Sequence, residues 1–105
     1  MTGCYRITEL EGFDDEYLHL VAEPTFHVAA DGTGCFRFGA LEATMVVQET
    51  EEGADPGIQF EWEGFDEGDR ISGRGWAVLR GTSLRGEIVF RFGDTYIFEA
   101  ERLDK

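Results

Sequence analysis

Basic charge is scarce in this chain. Nine Lys and Arg stand against 22 Asp and Glu, a formal net charge of −13, and Lys105 is the sole lysine. Phosphate backbones and anionic lipid surfaces are held by basic faces. Direct nucleic-acid binding and membrane binding are therefore excluded as expectations, whereas a basic protein surface would be attracted. Cysteine is equally sparse. Cys4 and Cys35 are too few for a disulfide framework, and no C-x-x-C spacing offers a zinc site. The two histidines, His19 and His27, sit in no motif of the G-x-S-x-G kind, so no catalytic triad is assigned and both read as structural or surface groups. No apolar run approaches the ~18–20 residues of a bilayer-spanning helix. The opening "MTGCYRITEL" has no apolar core of a signal peptide, and Gly3-Cys4 lacks the hydrophobic stretch of a lipidation signal. The expectation is a cytoplasmic protein with reduced, inert thiols. Glycine-rich "GTG" (32–34) and "GRG" (73–75) have no helix start behind them to cradle phosphate, and no cofactor or metal is expected.

Aromatic side chains are abundant. Phe, Trp and Tyr make up 13% of 105 residues, nine of them Phe, within an apolar fraction of 42%. That composition is too hydrophobic for a disordered acidic chain. A single domain of this length buries roughly two-thirds of its unfolded surface without a metal or disulfide. Turn signals recur at 30–34, 51–57, 66–69, 81–83 and 93–95, and the segments between them alternate as strands do. Seven strands are expected, over 5–11, 25–31, 35–49, 57–65, 71–80, 84–92 and 95–103, with the long third one bending near Gly39. One short helix is expected over 14–22, where Asp14 caps, acids occupy the first turn and Pro24 ends it. The fold class is mainly β: an antiparallel meander of about seven strands curled into a small barrel or half-barrel, a two-sheet sandwich being the runner-up.

The stretch "FEWEGFDEGDRISGRGWAVL", residues 60–79, reads as a hairpin with two registers. In one, Phe60 lies opposite Trp76, Trp62 opposite Arg74 and Ile58 opposite Val78, which gathers the large apolar groups on one face. In the other, Phe60 and Trp62 cover Gly75 and Gly73, Glu61 meets Arg74, and Trp76 points outward. Three-residue turns at 81–83 and 93–95 would continue the first register. Gly in first position, however, is the chemistry of a two-residue turn. The burial pattern favours the first, with Gly73 and Gly75 on the wet face.

Two groups of residues carry candidate function. Trp62, Phe65, Arg74 and Trp76 would line an aromatic pocket for a small acidic or planar ligand. Asp66, Glu67 and Asp69 form an acidic turn without the spacing of a calcium loop, so it reads as solvated and not as a metal site. An enzyme using these acids would need a sheltered carboxylate. The favoured expectation is a non-enzymatic interaction or accessory protein binding a basic partner surface, at the extreme a mimic of DNA. A ligand binder with an aromatic pocket at the barrel mouth is the alternative. The oligomeric state is not legible.

The run F-x-W-E-G-F-D-E…S-G-R-G-W, with "GTGCFRFGAL" before it and "YIFEAER" near the end, resembles a family of small bacterial proteins of similar length, uncharacterised in function, some carried on mobile gene cassettes. The resemblance spans nearly the whole chain. It implies a single bacterial cytosolic domain and, with no catalytic residue assigned in such proteins, carries none over to this chain.

Overall fold

The computed structural model describes residues 2–12, 23–50 and 55–103. They form eight strands: β1 (Gly3–Leu10), β2 (Thr25–Val28), β3 (Thr33–Phe38), β4 (Leu41–Thr50), β5 (Gly57–Asp66), β6 (Asp69–Arg80), β7 (Ser83–Phe90) and β8 (Thr95–Arg102). Each pairs antiparallel with the next, and β1 pairs with β8, so the sheet closes into a barrel with no free edge. The meander and its curling are as the alternation implies. The helix expected over 14–22 lies outside the described residues.

The extra strand arises at Gly39. Instead of bending, the chain reverses there: Phe38 pairs with Leu41 across a two-residue turn, and Gly39 takes a φ of 55°. The β5–β6 turn is also a two-residue one. Asp66 pairs with Asp69, and both central residues, Glu67 (φ 53°) and Gly68 (φ 91°), are left-handed. That is the geometry of a type I′ hairpin, whose twist matches the flanking strands.

This turn overturns the favoured register. Phe60 pairs with Gly75, Trp62 with Gly73 and Glu61 with Arg74. A one-residue slip reverses every side chain, so Gly73 and Gly75 face inward and Trp76 faces out. The same holds at Gly81, where Arg80 pairs with Ser83 and Gly75 with Ile88. The last hairpin differs from both expectations. Its three-residue loop is Arg91-Phe92-Gly93, closed by the Phe90 N–H to Asp94 carbonyl bond (2.7 Å), and Ile88 pairs with Tyr96.

The physical reason lies in the interior. The inner face of β6 is Gly73, Gly75 and Ala77 because the β5 rings Trp62 and Phe60 lie over its glycines and β7 backbone carbonyls close in from the other side. A Cβ on Gly73 would sit 3.0 Å from two Trp62 ring atoms, and one on Gly75 would collide with Phe60. Large residues opposite small ones fill a narrow barrel without voids. Edge-to-face contacts of Phe36 with Trp62 (5.4 Å) and Trp62 with Phe90 (5.1 Å) run through the centre, and Phe26 stacks on Phe98 at 5.2 Å. Each such pair adds ~0.5–1.5 kcal/mol beyond area burial. Trp62 is 3% exposed, and its indole N–H donates to the Arg74 carbonyl at 3.3 Å. No described buried side-chain polar atom lacks a partner.

A bulge between Ile7 and Glu9 re-phases β1, so that both Ile7 and Leu10 reach the core. Outside, Gln59, Glu61 and Glu63 alternate with buried Phe60 and Trp62. Apolar-in and charged-out is the reverse of a membrane-spanning barrel. No described helix is long and apolar enough to cross a membrane.

Candidate functional site

The β5–β6 register decides which groups the outer wall presents. Two rows run across it. Val46, Glu61, Arg74, Val89 and Thr95 are successive partners on β4 to β8, and Gln48, Gln59, Trp76, Glu87 and Ile97 form the row beside them. Trp76 is 40% exposed, and its indole N–H donates to Glu87 Oε1 at 3.0 Å. That bond ties the ring to β7 while leaving part of it in solvent. Val46 is 69% exposed and Phe92, on the β7–β8 loop, 68%. Phe92 rests on Phe90, ring centres 5.3 Å apart, so its exposed ring is backed by the core.

Two shallow depressions meet along this wall. One, of about 690 Å³, lies between Val46, Gln59, Arg74 and Trp76; the other, of about 1060 Å³, lies between Val46, Glu61, Arg91 and Phe92. Val46 and Glu61 border both, making a continuous surface from Trp76 to Phe92. Arg74 and Arg91 form no ion pair among the described residues, whereas Arg70 is held by Glu63 at 2.8 Å, Arg80 by Asp55 at 3.0 Å and Arg85 by Glu99 at 3.4 Å. The exposed apolar groups are thus collected where acids and arginines balance, within a protein that is otherwise strongly acidic.

Of the residues singled out in the sequence, Trp62 stands inside the barrel. Arg74 and Trp76 stand outside on neighbouring rows, and Phe65, 57% exposed, lies beyond them near the turn, with Glu42 and Arg70 as its cross-strand partners. The four do not line one pocket: Trp62 borders the 1060 Å³ depression, Arg74 and Trp76 the 690 Å³ one, and Phe65 a third beside Cys35 and Glu42. Asp66, Glu67 and Asp69 share the hairpin tip, Asp66 half-buried and the other two exposed. Among the described residues no three His, Cys, Asp or Glu side chains converge to hold a metal ion.

Sequence reasoning misses Val46 and Phe92. Val46 lies in the run Met45-Val46-Val47, where parity alone leaves open which valine faces out. Phe92 falls at the end of an alternating segment that reads as strand, whereas the chain turns there. A second missed grouping lies across the barrel. Cys4, His27 and Cys35 are successive partners on β1, β2 and β3, and Cys4 Sγ approaches His27 Nδ1 to 2.8 Å. His19 lies outside the described residues.

Comparison of the chain with known protein families, with curated proteins and with solved structures finds no match in any of the three. The likeness to small bacterial proteins rests on the quoted residues alone.

Proposed function

We propose that this is a non-enzymatic cytoplasmic interaction protein that docks a basic protein partner through the outer wall of β4 to β7. The supporting observation is the surface that joins Val46, Trp76 and Phe92 on a chain of formal charge −13. Exposed apolar groups gathered on one face mark contact surfaces. Tryptophan backed by a rigid sheet is a favourable anchor, because its burial adds area at little cost in ordering. The acid excess of the rest of the chain supplies the second part, acting at longer range because acids and arginines balance on the wall itself. It raises the encounter rate with a cationic surface and repels nucleic acid and other anionic partners. A partner that itself binds nucleic acid would be competed away from it, the DNA-mimic version of the same reading.

The test uses purified basic nucleic-acid-binding domains and poly-lysine as probes, across a salt series, with the wild type and the Trp76→Ala and Val46→Ser variants. Affinity for one domain should fall with salt and weaken in both variants, whereas poly-lysine, which needs charge alone, should not distinguish them. Affinity indifferent to salt, or equal in wild type and variants, overturns the reading.

A small-ligand reading keeps one supporting observation. Arg74, free of an ion pair among the described residues, and the exposed part of Trp76 border the same 690 Å³ depression. A planar anion would stack on the indole and pair with the guanidinium. Quenching of Trp76 fluorescence by aromatic carboxylates, lost in Arg74→Gln, would favour it over the protein partner.

A further inference from the structure

Cys4, His27 and Cys35 occupy the side of the barrel opposite the docking wall and take no part in it. The pairings set Cys4 opposite His27, and His27 opposite Cys35. All three face outward, because their chain neighbours Tyr5, Phe26, Val28 and Phe36 fill the core. Cys4 and His27 are half-buried, Cys35 is exposed, and both thiols are free. The two thiols nonetheless differ in kind: His27 Nδ1 lies 2.8 Å from Cys4 Sγ. A sulfur nucleophile within hydrogen-bond reach of an imidazole is the arrangement by which a weak thiol is activated. The charged groups around the pair are arginines and their partners. Arg6 follows Cys4 on the same face and is bridged to Glu23 at 3.8 Å, with Glu101 its β8 partner. Arg102 donates to the Thr2 carbonyl at 3.2 Å, and Arg37 follows Cys35 on β3.

We infer that Cys4 is a nucleophilic thiol, served by His27 as its base, and a site of reversible modification by low-molecular-weight disulfides. The Cys4 proton passes to His27 Nδ1, Sγ bonds to one sulfur of the disulfide, and the disulfide bond breaks. The second sulfur leaves as thiolate and recovers the proton from His27. One thiol and one disulfide give one mixed disulfide and one thiol, with no external oxidant.

The fold also determines the fate of the adduct. Cys4 and Cys35 are separated by β2, and two strand spacings place their Cα atoms ~9.5 Å apart. That exceeds the ~7 Å limit for a disulfide, so Cys35 cannot resolve the adduct, which persists until a free thiol removes it. The absence of a converging third ligand among the described residues favours this role over metal binding.

The experiment treats the reduced protein with oxidised glutathione and follows each cysteine by peptide mass spectrometry. Cys4 should react faster than the more exposed Cys35, by on the order of 10-fold, short of the ~10²–10⁴-fold of full general-base catalysis. His27→Gln should bring Cys4 down to the Cys35 rate and leave Cys35 unchanged, which a general loosening of the fold would not do. Faster reaction of Cys35, or an unaltered Cys4 rate in His27→Gln, overturns the assignment. Should that variant fail to fold, the wild type decides by intact mass. A single glutathione adduct located at Cys4 supports the proposal, and an internal Cys4–Cys35 disulfide refutes it.

Discussion

Gly75→Ala separates the observed register from its rival by the sign of its effect. In the structure Gly75 faces the interior between Phe60 and Ile88, and an added Cβ would meet the Phe60 ring and the Glu87 carbonyl at less than contact distance. Relief needs the β7 backbone at Glu87 to shift as well as the Phe60 ring, and Phe60 is itself wedged against Phe26 and Phe36 with centres 5.5 and 6.2 Å away. Overpacking of this kind costs ~1–3 kcal/mol. At about 4–8 °C per kcal/mol for a domain near this size, melting should fall by roughly 5–20 °C. With the chain slipped by one residue, Gly75 would lie on the wet face, where alanine stabilises a strand by ~0.5–1 kcal/mol. Urea denaturation of wild type, Gly75→Ala, Phe60→Leu and the double variant measures the effect and its origin. A shorter side chain at 60 should restore part of the loss, giving a coupling of ~1 kcal/mol. A neutral or stabilising alanine, or no coupling with residue 60, would refute the packing argument.

The two tryptophans should behave as opposites: Trp62→Ala should cost ~3–5 kcal/mol as a core truncation, whereas Trp76→Ala, an exposed site, should stay within ~1 kcal/mol while removing the acrylamide-quenchable part of the emission. Burial raises the Tyr5 hydroxyl above its ordinary 10.0, against the opposing pull of Arg102. The unfolded chain therefore ionises first, so stability is complete below pH 10 and declines above it, a fall that Tyr5→Phe should lessen in alkaline circular-dichroism melts. Asp31 is lowered below its ordinary 3.8 by bonds from the Thr33 hydroxyl and N–H. Its contribution is present above that value and fades as pH falls through the folded value, so Asp31→Asn should flatten the acid limb of the stability curve.

The strands and their curling are legible because alternation such as Ile58, Phe60, Trp62 against Gln59, Glu61, Glu63 has one physical meaning. Register is not, and the hairpin shows why. Trp62 and Trp76 occupy opposite parities once the turn has two residues, so the rule that large apolar groups share a buried face points to the wrong pairing. The glycines that decide the matter have no side chain to reveal their direction, and their signal emerges only when the rings opposite them are known. At Gly39 the local sequence is compatible with either a bend or a reversal, and barrel closure selects the reversal. The proposed docking surface is half visible: Arg74 and Trp76 stand out as a charged and aromatic pair, but Val46 and Phe92 join them only through pairings distant in sequence, and Phe65 lies apart from them near the turn. The Cys4–His27 contact has no local signal, since it depends on the meeting of β1 and β2 across a long connection.

Closure of the barrel underlies the filled interior, the inward glycines and the division of the two tryptophans between inside and outside. It is tested most directly by nuclear magnetic resonance across the β1–β8 seam, where Ile7 pairs with Ala100 and Tyr5 with Arg102. Cross-strand backbone Overhauser contacts between these pairs, with amide exchange in both strands as slow as in β5 and β6, are the predicted result. Missing contacts, with the seam amides exchanging at the rate of open edges, would contradict the closed barrel.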